Sequence, residues 1–261
     1  MNDYLSNIPE PDVFADVYEN QGFKISVGQL QTAAGEASVS IKLENNSDTS
    51  YSCKMQDIKV NGFSVGPGLE LGAMANNEIT INTDLGSTIL SSYGINNISE
   101  ASFILDIYTM DTETYDSAEY IATTDEIQLK SIDVLIPDKD VSTDGAAVIY
   151  DKNGVKICSQ IYEDVYNSDI CLYIKNETDS DAEIACNGIT FNDTEQNMEG
   201  YESVYYFKVA GAGEGFADFP LSNYEINETT YETKKVELTS LTADFSITVG
   251  GNAENITMKL K

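Results

Sequence analysis

Tyr18-Glu19-Asn20-Gln21-Gly22-Phe23-Lys24-Ile25 returns 132 residues later as Tyr150-Asp151-Lys152-Asn153-Gly154-Val155-Lys156-Ile157. In the first copy, Ala15 to Tyr18 and Phe23 to Leu30 flank the four-residue turn; in the second, Ala146 to Tyr150 and Val155 to Ile157 do so. A glycine closing such a turn supplies positive φ without a Cβ clash, so both stretches predict β-hairpins. The copying continues outward. Leu43-Glu44-Asn45-Asn46-Ser47-Asp48 matches Ile174-Lys175-Asn176-Glu177-Thr178-Asp179, and Leu90-Ser91-Ser92-Tyr93-Gly94-Ile95-Asn96 matches Leu221-Ser222-Asn223-Tyr224-Glu225-Ile226-Asn227, both 131 residues apart. Solenoid repeats run to roughly 20–50 residues; a period of about 130 is the size of a whole domain. The chain reads as two copies of one fold, and its 261 residues let each bury a core.

Strand alternation fills in the architecture. Ala37-Ser38-Val39-Ser40-Ile41-Lys42-Leu43 is apolar at every second residue, and Ile170-Cys171-Leu172-Tyr173-Ile174 continues the pattern in the second copy. Asn61-Gly62 between Ile58-Lys59-Val60 and Phe63-Ser64-Val65 predicts a second hairpin. Ser87 to Tyr93 is the best helical segment, one short turn carrying Leu90 and Tyr93 inward; its counterpart contains Pro220, which suits only a helix's first turn. Ala101 to Ile107 parallels Ala243 to Val249 at an offset grown to 142, which returns to 131 where Ile127-Gln128-Leu129-Lys130 meets Met258-Lys259-Leu260-Lys261. About seven or eight short strands per copy, with turns roughly every ten residues, predict an all-β chain of two tandem Ig-like antiparallel β-sandwiches. The expected boundaries are an N-terminal arm over 1–12, a first domain over 13–135, a linker over 136–145 and a second domain over 146–261. Ile8-Pro9-Glu10-Pro11 and Ile136-Pro137-Asp138-Lys139 mark the two linkers: proline stiffens and acid solvates. The arm then reads as a join to something upstream.

Composition narrows the chemistry. Forty-four acidic against 14 basic residues give a net charge of −30, so phosphate backbones and anionic membranes are repelled and nucleic-acid binding is excluded. The absence of histidine removes Ser-His-Asp and Cys-His catalysis and the usual imidazole metal ligands. The absence of tryptophan is partly offset by 16 tyrosines. No apolar run is long enough to cross a bilayer, and the polar start Met1-Asn2-Asp3-Tyr4 is no signal peptide. Paired carboxylates could run glycoside hydrolysis without histidine, yet among 44 acids two neighbours are no signal, and the chain is expected to be non-enzymatic.

Candidate site residues are few. Cys53 and Cys186 fall in step with apolar neighbours and should be buried thiols; Cys158 and Cys171 fall out of step, should face outward on successive strands, and could form a cross-strand disulfide. Tyr201, Tyr206 and Tyr231 are the tyrosines that could form an exposed platform for a sugar ring, with Tyr205 and Phe207 on the opposite, core-facing side of the strand. Asp179-Ser180-Asp181-Ala182-Glu183 imitates the opening of a calcium loop but lacks the sixth-position glycine and the closing acid. Asp138, Asp140 and Asp144 could hold a calcium ion in the linker, a solvated linker being the plainer reading. No other cofactor is expected.

The turn glycine followed by Val/Phe-Lys-Ile, the alternating strand ending in Asn-x-Ser/Thr-Asp, the Asn61-Gly62 hairpin and Leu-Ser-x-Tyr-x-Ile together resemble tandem Ig-like modules on uncharacterised surface proteins and lipoproteins of anaerobic Gram-positive bacteria, gut clostridia in particular. The resemblance implies an exported, anchored location and contributes no catalytic or binding residues. Three functions suit these features. The first is a non-catalytic surface spacer or adhesion module with a protein or glycan partner, reaching the membrane only through an anchor outside this chain. The second is a carbohydrate-binding module using the second copy's tyrosines. The third is a cytoplasmic scaffold.

Overall fold

The computed structural model describes residues 13–33, 36–66, 69–114, 116–134, 136–163, 168–199, 205–226 and 233–261. It holds the strands β1 (Ala15–Asn20), β2 (Phe23–Val27), β3 (Gln31–Ala33), β4 (Glu36–Asn45), β5 (Tyr51–Val60), β6 (Phe63–Gly66), β7 (Glu70–Ala73), β8 (Asn77–Asp84), β9 (Glu100–Met110), β10 (Ser117–Thr123) and β11 (Ile127–Lys130), with the helix α1 (Ser87–Ser92) before β9. They are followed by β12 (Ala147–Lys152), β13 (Val155–Glu163), β14 (Ser168–Asn176), β15 (Ala182–Phe191), β16 (Thr194–Glu195), β17 (Tyr206–Val209), β18 (Glu214–Leu221), β19 (Tyr224–Ile226), β20 (Thr233–Lys235), β21 (Leu241–Val249) and β22 (Asn252–Lys259). The chain is all-β, as the alternation predicts. It divides into two compact units. One gathers the described residues up to Gly62, those from 69 to Ser91, and Ile95–Asp140; the other gathers Phe63–Gly66, Ser92–Gly94 and the described residues from Val141 to Lys261.

Each unit is a two-layer β-sandwich, and the strand pairings repeat. In the first, β1 pairs β2, β2 pairs β4 and β4 pairs β8, while the opposite layer pairs β7 with β5, β5 with β9, and β9 with both β10 and β11. In the second, the first layer runs β12, β13, β14, β18 and the other β17, β15, β21, β22. Even the bulge recurs, between Asp16 and Tyr18 on β1 and between Val148 and Tyr150 on β12. The predicted turns carry Gln21 and Gly22, and Asn153 and Gly154, at positive φ, the geometry of a tight hairpin. Rings bridge the layers: Phe23 stacks on Tyr51 at 4.6 Å in the first unit, and Phe219 lies 6.1 Å from Phe245 in the second. Burying each large apolar side chain stabilises its unit by roughly 1.5–3 kcal/mol.

One buried polar device appears twice. The side-chain amide of Asn45 donates to the carbonyls of Thr49, Ala73 and Met74, and its oxygen accepts from Ser47 N–H and Oγ–H. Asn176 donates to Ser180, Val209 and Ala210 and accepts from Thr178 N–H and Oγ1–H. Each asparagine ties the end of one layer to the corner where the other begins, and satisfies carbonyls that the turn leaves without strand partners.

Register also corrects one sequence match. Leu85 N–H donates to Ala37 O, and Leu221 lies opposite Ser168. Ala37 and Ser168 are 131 apart, like Asn45 and Asn176, so the structural equivalent of Leu221 is Leu85 rather than Leu90. Leu90 and Tyr93 are buried on and after α1, as expected, whereas Tyr224 is exposed on β19. Pro220 sits in a strand, not a helix. Its carbonyl accepts from Gln196 Nε2 and Tyr205 Oη rather than from β14. N–H and C=O of one strand residue point to the same side, so the missing donor removes no ladder bond.

Two further expectations change. Cys158 and Cys171 are buried free thiols, not an exposed disulfide. Strand alternation does aim them away from the unit's main core. That second face, however, is covered within the same unit by Tyr93, whose hydroxyl donates to the carbonyls of both Cys158 (3.1 Å) and Cys171 (2.9 Å). Phe63, Tyr93, Tyr173 and Phe216 form a ring cluster there with centroid spacings of 5.2–6.0 Å. The thiols are also out of register for pairing, Cys158 facing Tyr173 and Cys171 facing Gln160. Phe63 reaches that cover from β6, which extends the sheet beside β18 in parallel over Ser64–Gly66, whereas the other pairings described above are antiparallel. Gly66 is seated against Phe207: an added Cβ would lie 2.4 Å from the ring. Gly66→Ala is therefore expected to cost about 1–3 kcal/mol, read from the urea midpoint of the full chain; an unchanged midpoint would show that β6 is not seated there.

The linker is more structured than its composition suggests. The Asp138 carboxylate accepts from the backbone N–H groups of Asn96 (2.9 Å) and Asn97 (2.8 Å) and from the Asn97 side chain. These donors, the Asn97 side chain foremost, hold its pKa below the usual carboxylate value. A depressed carboxylate pKa contributes stability that is complete above the unfolded value of about 3.9 and is lost as pH falls through the folded one. Asp138→Asn is thus expected to lower the melting temperature at pH 7, by a margin that shrinks as the pH is taken down through the folded value. A difference that persists in acid would contradict the assignment.

Candidate ligand-binding face

The first unit carries a two-row constellation on the outer side of β7–β5–β9–β10. It exists because alternation sends Cys53, Met55, Leu105 and Ile107 into the core and their neighbours Lys54, Asp106 and Tyr108 to the other side, where Ser52 is buried against Ser117. Cross-strand register then lines those neighbours up. One row runs Glu70, Lys54, Asp106, Thr123, and the adjacent row runs Gly72, Ser52, Tyr108, Tyr120.

The charged row is held in place by its own contacts. Lys54 Nζ lies 3.3 Å from Glu70 and 5.3 Å from the centre of the Tyr108 ring, a salt bridge and a cation–π contact made by one ammonium. Ser117 Oγ donates to Glu70, and Thr123 Oγ1 donates to Asp106 at 2.5 Å. Tyr120 Oη and Thr123 Oγ1 are 2.9 Å apart. The two tyrosines meet edge to face at 5.7 Å. Lys54 and the edge contact use up Tyr108, whereas Tyr120 remains 56% exposed. The face thus offers one free aromatic ring beside fixed hydroxyls, carboxylates and an ammonium. Beneath it, burial, with Glu70 adding, pushes the Cys53 thiol up to about 12, so that sulfur is chemically quiet.

In the second unit, Tyr206 is half-exposed and aimed outward with Lys208, while Tyr205 and Phe207 are buried, the division the alternation predicts. Burial first, then Glu183, raises the Tyr206 phenol pKa, and Lys208 pairs with Asp181 at 2.5 Å. Tyr201 and Tyr231 lie outside the described residues, so Tyr206 alone of the predicted platform has a described position. Tyr108 and Tyr120 were not singled out from sequence. Tyrosine density points to Tyr201–Tyr206, whereas alternation is the signal that finds this face: Asp106, Tyr108 and Met110 are the outward partners of Leu105 and Ile107.

No family model matches the chain, and no curated protein does. Among solved structures it is similar to red sea bream transglutaminase at 7% identity, over 93% of this chain and 32% of that one, with a TM-score of 0.24. This chain spans about a third of that structure, and a likeness so slight carries no argument about fold or function.

Proposed function

We propose that this chain is a non-catalytic adhesion module presented outside the cell, and that it contacts a glycan through the outer side of β7–β5–β9–β10. The observation that carries this reading is the exposed Tyr120 ring held edge-on to Tyr108 beside one row of fixed polar groups, Glu70, Lys54, Asp106 and Thr123. A tyrosine face stacks on a pyranose at little entropic cost, and the flanking hydroxyls and carboxylates suit sugar hydroxyls, which both donate and accept. The non-catalytic part of the reading is supported by the chemistry of the side chains: there is no histidine, and burial raises the pKa of all four thiols. The acidic composition, rich in Asn, Ser, Thr and Tyr, favours the exterior. The four buried thiols are suited to either compartment.

The test is a screen of the full chain against immobilised oligosaccharides, followed by Tyr120→Ala. Loss of a contributing ring is expected to weaken a hit at least tenfold, or about 1.4 kcal/mol. Tyr206→Ala is expected to leave the hit unchanged. Sensitivity to Tyr206 and indifference to Tyr120 would instead favour a platform in the second unit, and no hit from any glycan would remove the reading.

A further inference from the structure

The aromatic row occupies only one end of the outer face of β9. Six residues further toward the strand's start, Ser102 opens a shallow groove with Lys59, Glu100, Gln128 and Lys130. Register puts Lys59, Ser102 and Gln128 in one row across β5, β9 and β11, with Glu100 and Lys130 in the next. At about 3.3 Å per residue the groove lies roughly 20 Å from Tyr108 on the same side of the same strand. Between them the outward positions of β9 are Ile104 and Asp106.

Groove chemistry differs from that of an anion or cation site. Lys59 and Lys130 make no ion pair among the described residues, where eight of the chain's 14 lysines do. Two carboxylates stand with them. Glu126 accepts from Ser102 Oγ (3.0 Å) and Gln128 Nε2 (2.9 Å), and Glu100 lies opposite Lys130. Two ammonium groups, two carboxylates, an amide and a hydroxyl therefore supply donors and acceptors in balance, with no net charge to select an ion. Around this strip the whole chain carries −30, which repels any polyanion at range.

We propose that the groove is a second subsite of the same face, and that the ligand is a neutral glycan chain lying extended along β9, its one end stacked on Tyr120 and its other in the groove. This rests on the glycan reading above and adds to it a length and a charge. Recognition then belongs to the interior of a chain, since both ends of the strip lie on an open sheet surface.

The experiment is calorimetry of the full chain against a length series of whichever neutral oligosaccharide the screen returns, with a polyuronate of matched length beside it. Affinity is expected to rise at least tenfold from the monosaccharide until the ligand spans both subsites, and then to level off. The polyuronate is expected to bind at least tenfold more weakly at low salt. The double variant Lys59→Ala, Gln128→Ala is expected to reduce long-ligand affinity to the short-ligand level, leaving short ligands and the melting temperature unchanged. Equal affinity for short and long ligands, or indifference of the long ligand to the double variant, would overturn the subsite while leaving Tyr120-dependent binding intact. Tighter polyuronate binding would overturn the neutral-ligand assignment. Failure of every glycan, long or short, would remove both readings together.

Discussion

Tyr93→Ala is expected to cost the second unit about 3–5 kcal/mol, the range for emptying a large aromatic site in a closed core. Tyr93 is fully buried, and its ring lies 5.5 Å from Phe216 and 6.0 Å from Tyr173. Its single hydroxyl proton is shared between the carbonyls of Cys158 and Cys171. Burial raises the phenol's pKa well above its usual value, so the group remains a neutral donor throughout the accessible pH range. Removing the ring exposes the outer side of β13–β14–β18, where Cys158 and Cys171 would gain access to thiol reagents. Tyr93→Phe keeps the packing, loses one shared hydrogen bond, and is expected to cost only about 1 kcal/mol. Hydrogen exchange of β13 and β14 in the full chain separates the two. Alanine should accelerate the slowest amides by two orders of magnitude or more and phenylalanine by about fivefold. Equal, small effects would mean that Tyr93 merely lies on the surface of the unit.

Asn176→Ala is expected to cost about 2–4 kcal/mol, because it removes one donor from each of three carbonyls, leaving Val209 O the worst served, and takes the acceptor from a part-buried N–H. The residue is 2% exposed, so water cannot replace the lost bonds without opening the corner. Asn45→Ala, at 1% exposure and with the same set of partners, is expected to destabilise the first unit by the same amount within about 1 kcal/mol. Chemical denaturation followed by residue-resolved exchange assigns each loss to its unit. A large effect at one asparagine and none at the other would show that the repeated geometry does not carry repeated energetics.

Much of this architecture was legible because local rules were obeyed. The turns at Gln21-Gly22 and Asn153-Gly154 require positive φ and received the residues that supply it. The alternation of Val39, Ile41 and Leu43 aimed one side of β4 inward without help from distant sequence. What escaped was decided by partners remote in the chain. Nothing near Cys158 or Cys171 announces Tyr93, 65 and 78 residues away, so an alternation that correctly turned the thiols from one core could not reveal a second apolar layer. The equivalent side of the first unit's β2–β4–β8 is instead a charge network of Lys24, Lys42, Asp16, Glu44 and Glu78. The copies thus share a fold and diverge on that face. The Leu90/Leu221 match misled for a related reason: similar letters sat at a conserved spacing while α1 shifted the true register by five residues.

The ligand face was the least legible part, since Tyr108 and Tyr120 meet only through strand pairing. Its most direct test is amide chemical-shift mapping of the isotope-labelled full chain during titration with a neutral oligosaccharide long enough to span both subsites. The reading predicts perturbations confined to β5, β9, β10 and β11, running from Tyr120 to Gln128, with β1, β2 and β4 unmoved. Perturbations centred on Tyr206, or spread over neither face, would contradict it.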